Sequence, residues 1–113
     1  MPSQPLIGGH VSAAGGLHTV FERATAIDAE CIQMFGASPR AWLARKPLKK
    51  EADLFKAEQK RSNVQAVYLH AAYLVNLASP VQGLVTKSIK CLADHLRIAD
   101  AIGADGLIFH IGS

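Results

Sequence analysis

The chain holds five histidines, and three of them close short apolar runs: His10 after "PLIGG", His70 after "VQAVYL" and His110 after "GLIF". Neutral imidazole is the commonest side-chain ligand for zinc, and its cation pairs with phosphate. Taken singly, each of these residues reads as a loop histidine satisfied by a hydrogen bond. Three at the ends of strands in one parallel sheet would share a rim, and that arrangement favours a metal or phosphate pocket. His18 and His95 fall within segments of helical period and read as surface or flanking residues.

The carboxylates fall elsewhere. Glu22, Glu51, Asp53, Glu58 and Asp94 are expected on helices, and Asp28, Glu30, Asp100 and Asp105 at helix ends or just before strands. A hydrolytic metal cluster needs anionic ligands that bridge cations and offset their charge. None is expected on the rim with the histidines, so the candidate site reads as half built.

Hydrophobic period supplies the elements that position these residues. Strands are predicted at "PLIGGHVS" (5–12), "CIQMF" (31–35), "VQAVYLH" (64–70) and "GLIFHIG" (106–112). A first helix spans the "LHTVFERATAIDA" segment, with Leu17, Val20, Phe21, Ala24 and Ile27 on one face. A second covers 51–61, its apolar side marked by Ala52 and Phe55. The third begins near Pro80, in its first turn, and shows Val81, Leu84, Val85, Ile89, Leu92, Leu96, Ala99 and Ile102 on one stripe. Gly103 offers it a left-handed cap. Between the second strand and second helix, "GASPRAWLARKPLKK" reads as a long loop, its Arg45, Lys46, Lys49 and Lys50 a solvated basic face.

The order is therefore βαβαβαβ. Near-continuous apolar strands imply a parallel sheet buried on both faces, with right-handed crossovers. Residues 1–113 read as one domain of α/β class. The net charge of +3 permits contact with phosphates without requiring it. Cys31 and Cys91 form no C-x-x-C pair, and no secretory apolar region opens the chain, so reduced thiols and a cytoplasmic setting are expected. No stretch approaches the roughly 18 apolar residues of a membrane span.

Four segments, "GGHVSAAGGL" (8–17), "QMFGASPRAW" (33–42), "HAAYLVNLASP" (70–80) and "FHIGS" (109–113), resemble successive motifs of the endonuclease IV family. These are zinc-dependent nucleases that incise DNA at abasic sites. The resemblance implies a TIM (β/α)8 barrel with three zinc ions at its C-terminal mouth. A full barrel takes about 250 residues, so this chain is identified as its N-terminal part, inactive alone and lacking the C-terminal half.

By the same resemblance, His70 and His110 are ligands of one zinc, and His10 is a mouth residue near DNA. Arg40, Tyr73 and Leu74 match side chains that enter an abasic duplex. Trp42 reads equally as a loop anchor or a DNA contact. Ile111 stands where many members carry proline, and Ala71 and Ala72 where residues are often more polar. Two other readings compete: a metal-dependent sugar isomerase or epimerase barrel, and a non-catalytic half-barrel that binds DNA, a partner or itself through open sheet edges.

Overall fold

Each apolar run becomes a strand, although three of the four are shorter than their sequence patterns. The computed structural model describes residues 4–112; Ser113, which ends the fourth motif, lies outside them. The strands are β1 (Gly8–His10), β2 (Cys31–Phe35), β3 (Ala66–His70) and β4 (Gly106–Ile108), and the helices α1 (Val20–Ala26), α2 (Lys49–Arg61) and α3 (Gln82–Ile102). A single 3-10 turn, Leu17–Thr19, leads into α1.

The four strands form one parallel sheet in the order β1-β2-β3-β4. Register sets the faces. His10 lies beside Gln33, Gln33 beside Tyr68, and Phe35 beside His70, which is in turn beside Ile108. Residues paired across parallel strands share a face, so these side chains line one surface of the sheet.

The other surface carries the core. Ile32, Met34, Val67 and Leu69 are buried there with Val20, Phe21, Phe55, Ile98 and Ile102 from the helices. Phe21 and Phe55 meet edge to face, ring centroids 4.7 Å apart. Burying a side chain of this size stabilises the fold by roughly 1.5–3 kcal/mol.

Both faces of the sheet were expected to be buried, and among the described residues only one is. Along β2, buried residues alternate with half-buried ones, and Tyr68 of β3 is 40% exposed. Helices cover a single side, which is the arrangement of a barrel wall rather than of a sheet clad on both sides.

The third helix also turns a different face to the sheet. Its buried residues are Ser88, Cys91, His95, Ile98, Ala99 and Ile102, whereas Leu84, Ile89 and Leu96 of the expected stripe are exposed. Only Ala99 and Ile102 of that stripe are buried. Pro80 lies before the helix rather than in its first turn, since Val81 is the N-cap. Ile27 follows the end of α1 and is exposed, and Lys49 and Lys50 open α2 instead of closing the loop.

Two glycines have clear physical reasons. Gly103 caps α3 at φ 72° and ψ 30°, a left-handed conformation that a β-carbon disfavours. Gly8 packs against the backbone carbonyl of Cys31, where a β-carbon would collide with main chain.

Candidate functional site

The C-terminal ends of the strands form a rim of rings. His10 ends β1, Phe35 ends β2 and His70 ends β3, while His110 stands two residues beyond β4. The ring of His10 lies 4.7 Å from Phe35, Phe35 lies 5.6 Å from His70, and His70 lies 5.2 Å from His110, all edge to face. The three rim histidines are thus brought together, with one phenylalanine between two of them.

His70 is 9% exposed, and its Nδ1 lies 2.7 Å from the carbonyl oxygen of Ala71. A carbonyl can only accept, so Nδ1–H donates and Nε2 is the ring nitrogen left for another partner. Orientation of one ring nitrogen by a backbone carbonyl is what prepares the other for a metal. His110 is exposed, its ring nearly perpendicular to that of His70.

His10 is held differently. Its Nδ1 is 2.9 Å from Nε2 of Gln33, whose amide donates to it. Burial, and then the nearby His70, press its pKa below the ordinary histidine value. His10 therefore remains neutral to lower pH than a free imidazole.

Arg40 is exposed on the β2–α2 connection, where its backbone N–H donates to the hydroxyl of Ser38. Tyr73 is 61% exposed and Leu74 37% exposed, both on the β3–α3 connection. The Tyr73 ring sits 5.4 Å from Phe35 and 6.0 Å from His70, so it stands directly over the rim. A cleft of about 520 Å³ opens beside it, lined by His10, Ser12, Phe35, Ser38 and Pro39 among others.

Two carboxylates are committed to the opposite edge of the sheet. Glu30 accepts from the N–H of Ile7, and Asp105 from that of Val67 at 2.9 Å. Both tie the N-terminal ends of strands. Among the described residues, no three His, Cys, Asp or Glu side chains are grouped to hold a metal. The donors at hand are two imidazoles. They suit zinc chemically, but a structural zinc site usually has four ligands.

Two residues were misjudged or left open by the sequence. His95, expected near the surface, is completely buried, and neither ring nitrogen has a hydrogen-bond partner among the described residues. Its burial lowers its pKa, Asp94 opposes that shift, and His70 adds to it. The signal was present at helical spacing, since His95 lies four residues after Cys91 and three before Ile98. Trp42, left open between two roles, packs against a small cluster made by Ala71, Ala72, Val75 and Cys91.

With this geometry in hand, likeness to known proteins becomes informative. The model of the xylose isomerase-like TIM barrel family matches residues 21–113. The chain belongs to that family. A protein from Streptomyces coelicolor named probable endonuclease 4 is 40% identical over the whole chain, which covers 38% of its own length. A protein of the same name from Aquifex aeolicus is 41% identical over 96% of the chain and 38% of its own length. The crystal structure of endonuclease IV from Thermus thermophilus matches at a TM-score of 0.89 and 37% identity, over 96% of this chain and 41% of that one.

The chain thus spans less than half the length of the relatives it matches. The expected partial TIM barrel is borne out, and so is the resemblance to endonuclease IV proteins read from the four motifs. In a TIM barrel the C-terminal ends of the strands form the active face, and the rim of histidines lies on that face.

Proposed function

We propose that the chain is the N-terminal part of a zinc-dependent endonuclease of the endonuclease IV type. The complete enzyme would cleave the DNA phosphodiester 5′ to abasic sites in base excision repair, in the cytoplasm. Residues 1–113 would make a single partial-barrel domain with no second domain. The relatives' names support the nuclease reading. The observation that carries it is the His70–His110 pair at the barrel mouth, with His70 held through Nδ1 by the Ala71 carbonyl so that Nε2 is left for a ligand.

In this reading His70 and His110 hold one zinc together with a carboxylate outside this segment. Zinc, when bound, supplies Lewis acidity toward a phosphodiester oxygen. The chain's own residues recognise the lesion. Tyr73 stands exposed over the rim, and Leu74, the next residue, is exposed too, so that a wedge can enter duplex DNA. Lesion sites admit it at reduced cost, because no base need be unstacked there. Arg40 brings a cation toward phosphate, and His10, neutral and held by Gln33, lines the adjoining cleft. A sugar isomerase would need a closed pocket for a small substrate, and the names of the relatives favour the nuclease over it.

The free chain also leaves Tyr68 and Ile108 uncovered on the inner sheet face, and β1 and β4 unpaired at the edges among the described residues. Self-association is the expected consequence, and sedimentation as a clean monomer would count against it. The test of function uses a short duplex with tetrahydrofuran, a stable abasic analogue. The purified chain should bind it in preference to an intact duplex and should not incise it with any added zinc. Zinc-dependent turnover would overturn the claim of incompleteness, and equal affinity for both duplexes would overturn the lesion reading.

A further inference from the structure

The residues proposed to probe DNA lie on two separate connections, and neither has regular secondary structure. Residues 36–48 join β2 to α2 and carry Arg40; residues 71–81 join β3 to α3 and carry Tyr73 and Leu74. Connections of such length are mobile unless something ties them down. If they moved independently, ordering Arg40 against Tyr73 would be a cost of binding.

The structure supplies the tie. The N–H of Tyr73 donates to the carbonyl of Pro39 at 2.8 Å, joining the residue before Arg40 to the proposed wedge. Two residues beyond Arg40, Trp42 packs against the buried cluster formed by Ala71, Ala72 and Val75 of the β3–α3 connection together with Cys91 of α3. Ala71 is fully buried and Ala72 is 3% exposed. Their methyl side chains leave room for a large ring. Lys87 of α3 places its Nζ 5.8 Å from the indole centroid, within reach of a cation–π contact on the solvent side.

Arg40 is therefore bracketed by Pro39, hydrogen-bonded to Tyr73, and by Trp42, packed on the cluster that includes the two residues just before Tyr73. On its other side the β3–α3 connection is fastened as well. The amides of Leu77 and Ala78 both donate to the carbonyl of Ile111, at 2.9 and 3.2 Å, and that of Asn76 to the Ser88 hydroxyl.

We propose that Trp42 is a positioning residue for lesion recognition: its indole, packed on the cluster of Ala71, Ala72, Val75 and Cys91, locks the Arg40 connection to the Tyr73–Leu74 connection as one rigid probe. This rests on the reading of Arg40, Tyr73 and Leu74 as the residues that engage an abasic duplex. Trp42 itself need not touch DNA. Its contribution is to order both connections before binding, so that preference for the lesion does not have to overcome loop entropy.

The test uses the whole 113-residue chain, the tetrahydrofuran duplex and an otherwise identical intact duplex. Amide exchange at Tyr73 is followed in the free protein, and affinity for each labelled duplex by fluorescence anisotropy. Trp42→Ala is expected to speed exchange at Tyr73 and to cut the abasic-over-intact preference about tenfold. Trp42→Phe keeps a ring in the seat and restores most of both, a rescue that follows from positioning. Affinity for intact duplex, set by phosphate contacts, should change by less than about twofold.

Arg40→Ala tests the underlying reading separately, because it should reduce the preference while leaving Tyr73 exchange alone. If the wild-type chain shows no preference, or Arg40→Ala leaves it intact, the lesion reading fails and the proposal falls with it. If Arg40→Ala removes the preference but Trp42→Ala keeps both preference and protection, the positioning role is overturned and the reading stands. Should Trp42→Ala not fold, Trp42→Leu, which fills the seat without a ring plane, decides by the same two readouts.

Discussion

His95 offers the sharpest test of the packing beneath the rim. It is completely buried on the sheet-facing side of α3, and both ring nitrogens lack partners among the described residues. Leaving a buried polar group unpaired costs about 1–3 kcal/mol. His95→Leu removes that cost and introduces a shape change worth about 1 kcal/mol in the opposite direction. The expected net effect at pH 7 is a gain of about 1 kcal/mol, or roughly 4 °C in Tm for a domain of this size.

The pH dependence is more diagnostic than the magnitude. Burial lowers the folded-state pKa of His95 below the ordinary 6.5, with Asp94 opposing and His70 adding to the shift. Between the folded and unfolded values the unfolded chain binds more protons, so stability falls as pH drops below about 6.5. The wild-type slope should approach about 1.4 kcal/mol per pH unit at most and flatten once the folded form also protonates. Above about pH 6.5 this contribution is constant. His95→Leu should lose most of the slope, the remainder coming from His10, whose pKa is lowered in the same direction. Urea melts at intervals from about pH 7.5 to about pH 5 in both proteins measure this. An unchanged slope in His95→Leu, or a loss of more than about 1 kcal/mol at pH 7, would refute the reasoning.

Other outcomes follow from single contacts. Gly8→Ala places a β-carbon against the Cys31 carbonyl and should destabilise the fold by more than about 2 kcal/mol, read from a denaturant midpoint. Phe55→Ala empties the centre of the core, where Phe55 is completely buried against Phe21, and should cost about 3–5 kcal/mol by the same melt. Zinc titration with a competing chelator should show weak binding to the chain, lost in His70→Ala and reduced at least about tenfold in His110→Ala. Ile89→Lys with Leu96→Glu alters two exposed positions of α3 and should change stability by less than about 0.5 kcal/mol while reducing self-association in sedimentation.

The sequence was most legible where one cue had one physical solution. Cys31–Phe35 is a strand within its expected bounds, and Gly103 is a left-handed helix cap. The gathering of His10, His70 and His110 followed from strand order alone, because parallel strands bring their C-terminal ends to one rim. It was least legible where an apolar pattern had two solutions. Counting Leu, Ile and Val along α3 selects Leu84, Ile89 and Leu96, yet the helix buries Ser88, Cys91 and His95 instead. Small or polar residues fit close to the sheet when their shape suits the gap, and the Ser88 hydroxyl is satisfied by the Asn76 amide. A helix apolar on more than one side does not announce which side faces inward.

The exposed apolar residues share a common geometry. Tyr68 and Ile108 lie on the helix-free face of the sheet, and Ile89 and Leu96 lie on the side of α3 away from its core contacts. In a TIM barrel the helix-free face is the packed interior, filled by layers of side chains from alternate strands. Helices on the outside pack against both neighbours around the ring, so an apolar flank away from the sheet is expected of them. The matched relatives have more than half of their length beyond the segment this chain covers. The same surfaces would meet other βα units in such a barrel. The proposed metal site would obey the same rule as the half-covered core: a ligand set drawn from the strand ends of a whole ring would be supplied only in part by four strands.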